Sequence, residues 1–200
     1  MQRAAEDGTE PGSTSTSNSD LRLAPFGPRG RGAEFAYTIV DSALGRMLVA
    51  GTARGISFIA FGESDRVLKR ELRGDFPEAA LHRNGEALRS AAGAIAAFLL
   101  GRAPMAPLTL DVRGTPFQLR VWNGLRAIPS GTTLSYGALA RKVGNPRAPR
   151  AVGAAVGANP VSILIPCHRA VAADGSLHNY RWGLERKRRL LELEAAAVSR

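Results

Sequence analysis

The 200-residue sequence is poor in cysteine, histidine and aromatic side chains. These low counts limit the classes of protein and the kinds of metal site that it can form. Its one cysteine, Cys167, excludes an intramolecular disulfide and any zinc site built on several cysteines. No apolar run approaches the roughly 20 residues that cross a bilayer, and the N-terminal residues MQRAAEDGTEPGSTSTSNSD lack the apolar core of a secretory signal. We therefore expect a cytoplasmic protein that holds no metal or other cofactor and does not contact a membrane.

Positive charge is concentrated in the last part of the chain. The whole sequence carries 27 Lys and Arg against 17 Asp and Glu, a net charge of +10. Residues 116–200 hold 13 basic and 4 acidic side chains, whereas residues 35–115 hold 10 and 8. Such a positive electrostatic field favours the binding of a polyanion, and nucleic acid is the commonest polyanion in cells. The alternative is that arginine only keeps an Ala-, Arg- and Gly-rich chain soluble.

The first half predicts a tail followed by a sheet with helices. Residues 1–34 are rich in Ser, Thr, Gly and Pro and nearly lack large apolar side chains, which predicts a disordered tail. Three short apolar runs, EFAYTIV, RMLVAG and GISFIAFG, predict strands in meander order. Helical spacing predicts helices over SDRVLKRELRGDF and over residues 85–100, and LTLDV at residues 108–112 predicts a further strand.

The second half predicts several short helices. One begins at Thr115-Pro116 and runs to Ala127, and Ser135 is placed to cap a helix over SYGALARKV. RAPRAVGAAVGA predicts a helix of small residues over residues 147–158. The pair matches a helix-turn-helix pattern, which many helical pairs that bind nothing also share. The small residues are more informative, because they let the second helix enter a groove closely.

The stretch after that helix carries chemically reactive residues. VSILI predicts a buried extended segment that leads into Pro166, Cys167, His168 and Arg169. A lone buried cysteine is usually inert. Here a neighbouring imidazole and guanidinium favour a lowered thiol pKa and an activated nucleophile. Because residues adjacent in sequence need not face each other, His168 could act on the thiol through a water molecule.

These motifs together resemble a known family. IPCHR, with GANPV upstream and NYRWG and a Lys- and Leu-containing helix downstream, is similar to the active-site signature of the O6-alkylguanine-DNA alkyltransferases, also called methylated-DNA–protein-cysteine methyltransferases. FAYTIVDSALGRMLVAGTARGISFIAFG and GTPFQLRVWNGLRAIPSGTTLSYGALA resemble the starts of the family's two domains. The resemblance covers residues 35–196 and is strongest to the C-terminal half of bacterial Ada-type proteins. Residues 1–34 contain no cysteine for the zinc-binding regulatory domain of full Ada proteins.

The resemblance implies an α+β fold in two domains. Residues 35–115 would form a small ribonuclease-H-like domain with an antiparallel sheet and helices, after the tail at residues 1–34. Residues 116–200 would form a mainly helical DNA-binding methyltransferase domain of winged-helix or helix-turn-helix type, with the active-site cysteine.

The resemblance also implies the reaction, which is DNA repair by direct reversal of damage. An alkyl group would pass irreversibly, once per molecule, from O6-alkylguanine, and less well from O4-alkylthymine, to Cys167 after the base is flipped out of the duplex. His168 matches the base that deprotonates the thiol through water, and Glu194 matches the carboxylate that orients this histidine. Tyr136 matches the phenol that donates a proton to the leaving guanine.

Further positions match the family's DNA contacts and its pocket. Arg150 matches the residue that takes the place of the flipped nucleotide in the stack, on a small-residue helix that enters the minor groove. Ala151, Gly153 and Ser135 match neighbouring DNA contacts. The structural support and the pocket would come from Asn159, Pro166, Ala170, Tyr180 and Arg181. We expect a monomer that binds double-stranded DNA containing alkylated guanine in the nucleoid.

Two departures and two alternatives accompany this interpretation. Ala170 replaces the family's usual valine and His178 its usual glycine, which alters pocket size and so tolerance for larger alkyl groups. A module that recognises alkylated bases without transfer is one alternative, but such relatives replace the cysteine, commonly with tryptophan. A cysteine hydrolase using Cys167, His168 and a carboxylate is the other, and it leaves the basic half without a purpose.

Overall fold

Residues before Glu34 are already folded, earlier in the chain than the sequence predicts. The computed structural model describes residues 21–22 and 28–198, so residues 1–20 and 23–27 of the predicted tail lie outside the described residues. Residues 28–34 of that tail are folded: Pro28–Gly30 form a 3-10 turn, and Ala33 is buried. The Ala33 carbonyl accepts a hydrogen bond of 3.0 Å from the Ala80 amide. The tail boundary at Glu34 is therefore too late, because residues before it already pair with the sheet.

A four-stranded sheet organises the first half, in the order β4-β3-β2-β5. The three predicted strands are confirmed as an antiparallel meander, and a fourth, unpredicted strand joins β2 in parallel. Two further strand pairs, β1 with β6 and β7 with β8, are two residues long and parallel. The strands are β1 Leu21–Arg22, β2 Glu34–Ser42, β3 Gly45–Thr52, β4 Gly55–Gly62, β5 Ala80–Arg83, β6 Val112–Arg113, β7 Leu134–Ser135 and β8 Ala170–Val171.

Four of the described helices begin where the sequence supplies a capping side chain. Side-chain oxygens of Ser64, Asn84 and Ser135 accept hydrogen bonds from backbone amides in the first turns of their helices, and Thr115 and Gln118 form a reciprocal capping box. All the predicted helices are confirmed within two residues at their starts, and so is the α+β class. The described helices are α1 Asp65–Asp75, α2 Gly85–Leu99, α3 Pro116–Arg126, α4 Tyr136–Lys142, α5 Pro149–Gly157 and α6 Leu184–Val198.

One hydrophobic core connects the sheet with the later helices. It includes Phe58 of β4, Leu72 of α1, Trp122 of α3 and Val156 of α5. The Trp122 indole N–H donates to the Ala155 carbonyl at 2.8 Å, which ties α3 to α5 inside the core. None of the described helices is long and apolar enough to cross a membrane.

Two segments that the sequence predicts as strands take other conformations over most of their length. VSILI is buried but not extended: Val161 bridges to Ile59 of β4, and Ser162 and Ile165 then bridge each other across a turn. Ile163 sits at a φ of 76°, an uncommon conformation for a β-branched residue. In LTLDV, only the last residue lies in a strand, β6, and Leu110 forms one isolated bridge with Ile56. The segment therefore lies beside β4 with few backbone hydrogen bonds between the two. The apolar pattern predicted burial correctly, but hydrogen bonds from a side chain set the path of VSILI.

Candidate active site

Asn159 builds the turn that places the cysteine. Its Oδ1 accepts from the Val161 amide at 3.0 Å, and its Nδ2 donates to the Ile165 carbonyl at 2.8 Å, so one amide closes both ends of the buried turn. The Cys167 amide then donates to the same Ile165 carbonyl at 2.8 Å, and Cys167–Arg169 form a 3-10 turn. The turn fixes the thiol, which is only 7% exposed, at the wall of a small pocket.

The pocket at the thiol is nearly closed. Its free space is about 10 Å³, roughly enough for one water molecule. Of the predicted pocket residues, Asn159, Tyr180 and Arg181 line it, whereas Pro166 lines a different cavity beside α6 and Ala170 is fully buried. The lining consists of Val156, Gly157, Asn159, Ser162, Cys167, Asn179, Tyr180 and Arg181.

The environment of the thiol keeps it protonated at rest. Burial raises the pKa of Cys167, and the Asn159 side chain, the Lys187 ammonium and the Ser162 hydroxyl only partly oppose this rise. The prediction of a lowered thiol pKa from Arg169 is wrong, because this guanidinium turns away to bind Glu194. Ionisation of the sulfur therefore needs a base that accepts the thiol proton.

That base is available in the next residue. The imidazole of His168 is fully buried, and its Nε2 donates to Oε1 of Glu194 at 2.9 Å. Burial lowers the pKa of His168, although hydrogen bonding and charge from Glu194 oppose this effect, so the ring is neutral near pH 7. With hydrogen on Nε2, the Nδ1 atom carries a lone pair, and no described group hydrogen-bonds to this buried atom. A neutral imidazole with a free Nδ1 can accept a proton.

Glu194 is held as a carboxylate although it is 1% exposed. Burial alone would raise its pKa, but hydrogen bonds from His168 and Arg169 outweigh that effect and lower the pKa to about 2. The Arg169 guanidinium contributes contacts of 2.8 and 2.9 Å to the two carboxylate oxygens, and the Gly131 amide donates at 3.2 Å. By contrast, the neighbouring Glu192 is half-exposed and lies 3.4 Å from Arg189. The structure thus brings Glu194, and not Glu192, to His168.

A buried lysine that the sequence did not predict lies near Tyr136. Lys187 is fully buried, and its Nζ donates to the carbonyls of Ala170 at 2.6 Å and His178 at 2.8 Å. This ammonium lies 5.9 Å from the centre of the Tyr136 ring. Burial raises the pKa of Tyr136, and the charge of Cys167 adds to the rise.

Sequence reasoning missed Lys187, Ser162 and Trp182. The signal for Lys187 was present, since Lys187, Leu190 and Glu194 follow helical spacing on the buried face of α6. Ser162 was read only as part of an apolar run, and Trp182 only as part of the NYRWG motif. Among residues 21–22 and 28–198, no group of three His, Cys, Asp or Glu side chains is placed to hold a metal ion.

Comparison with known proteins places this geometry in a family. A family model described as the DNA-binding domain of 6-O-methylguanine DNA methyltransferase matches residues 116–196. A methylated-DNA–protein-cysteine methyltransferase from Methanosarcina acetivorans is 38% identical over 160 residues, which cover 80% of this chain and 98% of the relative. The chain belongs to the methylated-DNA–protein-cysteine methyltransferase family. The family resemblance predicted from the sequence is confirmed.

Two further relatives agree with this family membership. The bifunctional transcriptional activator and DNA repair enzyme Ada of Escherichia coli is 45% identical over 159 residues, but the chain spans only 45% of that protein's length. The crystal structure of the Mycobacterium tuberculosis O6-methylguanine methyltransferase superposes with a TM-score of 0.68 at 36% identity, over 82% of this chain and 94% of that one. The mixed α+β fold is therefore that of a methylated-DNA–protein-cysteine methyltransferase.

In this chain, helices α4 and α5 carry the residues predicted to contact DNA. Arg150 and Ala151 are exposed near the start of α5, and Gly153 is half-buried beside the Tyr136 ring. Ser135 accepts from the Ala138 amide at 3.1 Å, so its hydroxyl caps α4. Arg150 forms no ion pair with any residue that the structure describes, and the sequence from Pro116 to Ala173 contains no acidic residue. The helix therefore presents an uncompensated positive charge next to Tyr136.

Proposed function

We propose that this chain repairs DNA by transferring the alkyl group of O6-alkylguanine, and less well that of O4-alkylthymine, to Cys167. The observation that carries the proposal is the buried pair of His168 and Glu194, in which a neutral imidazole keeps a free Nδ1, next in sequence to the only cysteine of the chain. A carboxylate, an imidazole and a thiol in this order activate a nucleophile. The roles given below to single residues are part of this proposal.

The first step removes the thiol proton. Glu194 accepts from Nε2 of His168, so the ring is fixed with Nδ1 as the acceptor. Nδ1 takes the proton of Cys167 through one bridging water molecule. The imidazolium formed is stabilised by the Glu194 carboxylate, and the thiolate by the nearby Lys187 ammonium.

The second step transfers the alkyl group. The sulfur attacks the O6-alkyl carbon in line, a sulfur–carbon bond forms, and the carbon–oxygen bond breaks with its electron pair moving to guanine. Tyr136 donates a proton to the ring of the leaving base, which neutralises that charge. The thioether has no good leaving group, so each molecule acts once.

DNA binding follows from the charge and from the relatives. A homologue, the M. tuberculosis OGT, was crystallised in complex with DNA, and it superposes with a TM-score of 0.67 at 35% identity. We propose that α5 lies in the minor groove, where Ala151 and Gly153 permit close approach, with Ser135 nearby. Arg150 then takes the place of the flipped nucleotide, and a single copy of the chain suffices.

The finer description of the fold belongs to the same proposal. The meander with α1 and α2 supports a ribonuclease-H-like domain over residues 35–115. Helices α3 to α5 with the β7–β8 pair support a winged-helix or helix-turn-helix domain over residues 116–200.

Intact-protein mass spectrometry tests the proposed function. After incubation with a duplex containing O6-methylguanine, we expect a gain of one methyl mass per chain, on the Cys167 peptide. The matched Cys167→Ser variant should bind the duplex and gain no mass, because a serine hydroxyl is far less nucleophilic.

Two other outcomes would reject the proposal. An unshifted wild-type peptide under saturating duplex would favour a module that only recognises alkylated bases. Several turnovers per chain, on DNA or on a small acyl substrate, would favour a hydrolase.

A further inference from the structure

Ser162 brings a hydroxyl group into the pocket that holds the cysteine. Its side chain is 2% exposed and lines the same small pocket as Cys167. Its Oγ accepts a hydrogen bond of 2.7 Å from the indole N–H of Trp182. Because the indole occupies a lone pair of the oxygen, the hydroxyl proton must point elsewhere.

Trp182 is itself held on two sides. Its ring meets Phe58 of β4 edge-on, with centroids 6.3 Å apart, and the Arg181 guanidinium lies 4.7 Å above its centroid. Trp182 is 6% exposed and Phe58 is fully buried. The indole N–H therefore has a fixed direction, and it fixes the orientation of the serine oxygen in turn.

We propose that Ser162 donates a hydrogen bond to the Cys167 thiolate when the thiol ionises, with Trp182 as the residue that positions it. The inference rests on the proposed function, in which Cys167 reacts as a thiolate. The Cys167 sulfur and the buried Tyr180 hydroxyl both line this pocket, and each can accept the serine proton. The ionised sulfur is the stronger acceptor, because hydrogen bonds to charged groups exceed those between neutral groups. The Ser162 hydroxyl also acts to lower the pKa of Cys167, in line with this direction.

The pH dependence of thiol alkylation tests the inference without DNA. Cys167 is the only cysteine, so its reaction with iodoacetamide can be followed directly. In Ser162→Ala we expect the midpoint of the rate profile to move up by about one unit, since a hydrogen bond to a charged group is lost. The rate at pH 7 should fall about three- to tenfold, and the plateau at high pH should stay within about twofold.

Two further variants separate donation from packing. Trp182→Phe retains a ring against Phe58 and removes the N–H, so we expect a shift of the same sign and about half the size. Ser57→Ala is the matched control, because Ser57 is equally buried, lies in β4 and does not line the pocket. Its profile should match that of the wild type. Circular dichroism checks that Ser162→Ala is folded. If it is not, the alkylation profile of Trp182→Phe tests the inference instead.

Three results would overturn the inference. The first is a Ser162→Ala rate profile that superposes on that of the wild type. The second is a plateau rate that falls while the midpoint of the profile stays unchanged. The third is an upward shift in the titration of Tyr180 with no shift for Cys167. Methyl uptake from O6-methylguanine duplex is measured in parallel and should fall at pH 7 by the same factor. A wild type that reacts with iodoacetamide but takes no methyl group would reject the proposed function while leaving the serine result intact.

Discussion

The two halves of the chain bury different kinds of side chain. Before Pro116, strands β3 and β4 bury almost their whole length, and the buried polar residues of that half are Thr38, Ser57 and Asp111. After Pro116, the buried polar residues are Asn159, Ser162, His168, Lys187 and Glu194. Burying a charged side chain destabilises a fold unless the charge is paired. The concentration of buried charged side chains after Pro116 therefore indicates that this half contains the reactive site.

The first half also supports the site directly. Arg181, in the pocket wall, binds Asp75 of α1 through two contacts of 2.7 and 2.8 Å and Glu71 at 3.0 Å. Arg186 of α6 donates to the Leu44 carbonyl at 2.8 Å. The apolar half therefore acts as a rigid support against which the polar half holds its loop.

The largest expected effect comes from removing the buried carboxylate. In Glu194→Gln, Arg169 loses its anionic partner and His168 its orienting charge. We expect the free energy of unfolding to fall by about 3 kcal/mol in urea titrations. The single-turnover rate of methyl transfer should fall by about 100-fold.

The control is Glu192→Gln, on the same helix. Its carboxylate is half-exposed, so both quantities should match those of the wild type. If the two variants behave alike, the contrast between buried and exposed charge in α6 is refuted.

Acidification should weaken the polar half in two stages. His168 stays neutral in the folded chain, so stability is lost as the pH falls below 6.5, where an unfolded histidine takes up a proton. Glu194 has a folded pKa of about 2, below its ordinary 4.5, so its contribution is present above pH 4.5 and is lost as the pH falls from there towards 2. Urea unfolding measured from pH 7 to 3 should show a steady decline. A flat profile would contradict the buried His168–Glu194 pair.

The smallest expected effect concerns the contact between the halves. Asp75→Asn weakens the partly exposed pair with Arg181, so we expect unfolding to become easier by about 1 kcal/mol or less. The alkylation rate of Cys167 by iodoacetamide should rise a few-fold, because the pocket wall is held less firmly. Arg89→Ala, which removes an exposed pair with Glu86 in the same half, should change neither quantity. Equal alkylation rates in all three proteins would show that the first half does not restrain the pocket.

Local signals predicted most of the architecture. Helix caps such as Ser64 and Thr115 act within a few residues of the chain, and so do the short apolar runs that form the strands. Both can therefore be recognised in the sequence. Strand β5 could not, because ALHR is short, mostly exposed and paired with β2 across a long separation. The path of VSILI was missed for a similar reason, since the Asn159 side chain, and not the β-branched pattern, determines it.

The site was predictable only in part. The family resemblance pointed to Cys167, His168 and Glu194. The structure buries all three side chains and pairs His168 with Glu194, but their roles remain proposals. The protonation state of the thiol depends on burial, which adjacency in sequence does not reveal, and Arg169 was assigned an effect that its contact with Glu194 prevents. Ser162 and Trp182 matter only because two distant segments meet.

The near absence of free space beside the sulfur has a consequence for the lifetime of the protein. Under the proposed function each chain reacts once, so a chain is lost to repair if an oxidant or another electrophile reaches Cys167 first. A pocket that admits about one water molecule shields the sulfur from larger reagents until the wall moves. Under that proposal, the closed pocket preserves each chain until it meets the lesion that it repairs.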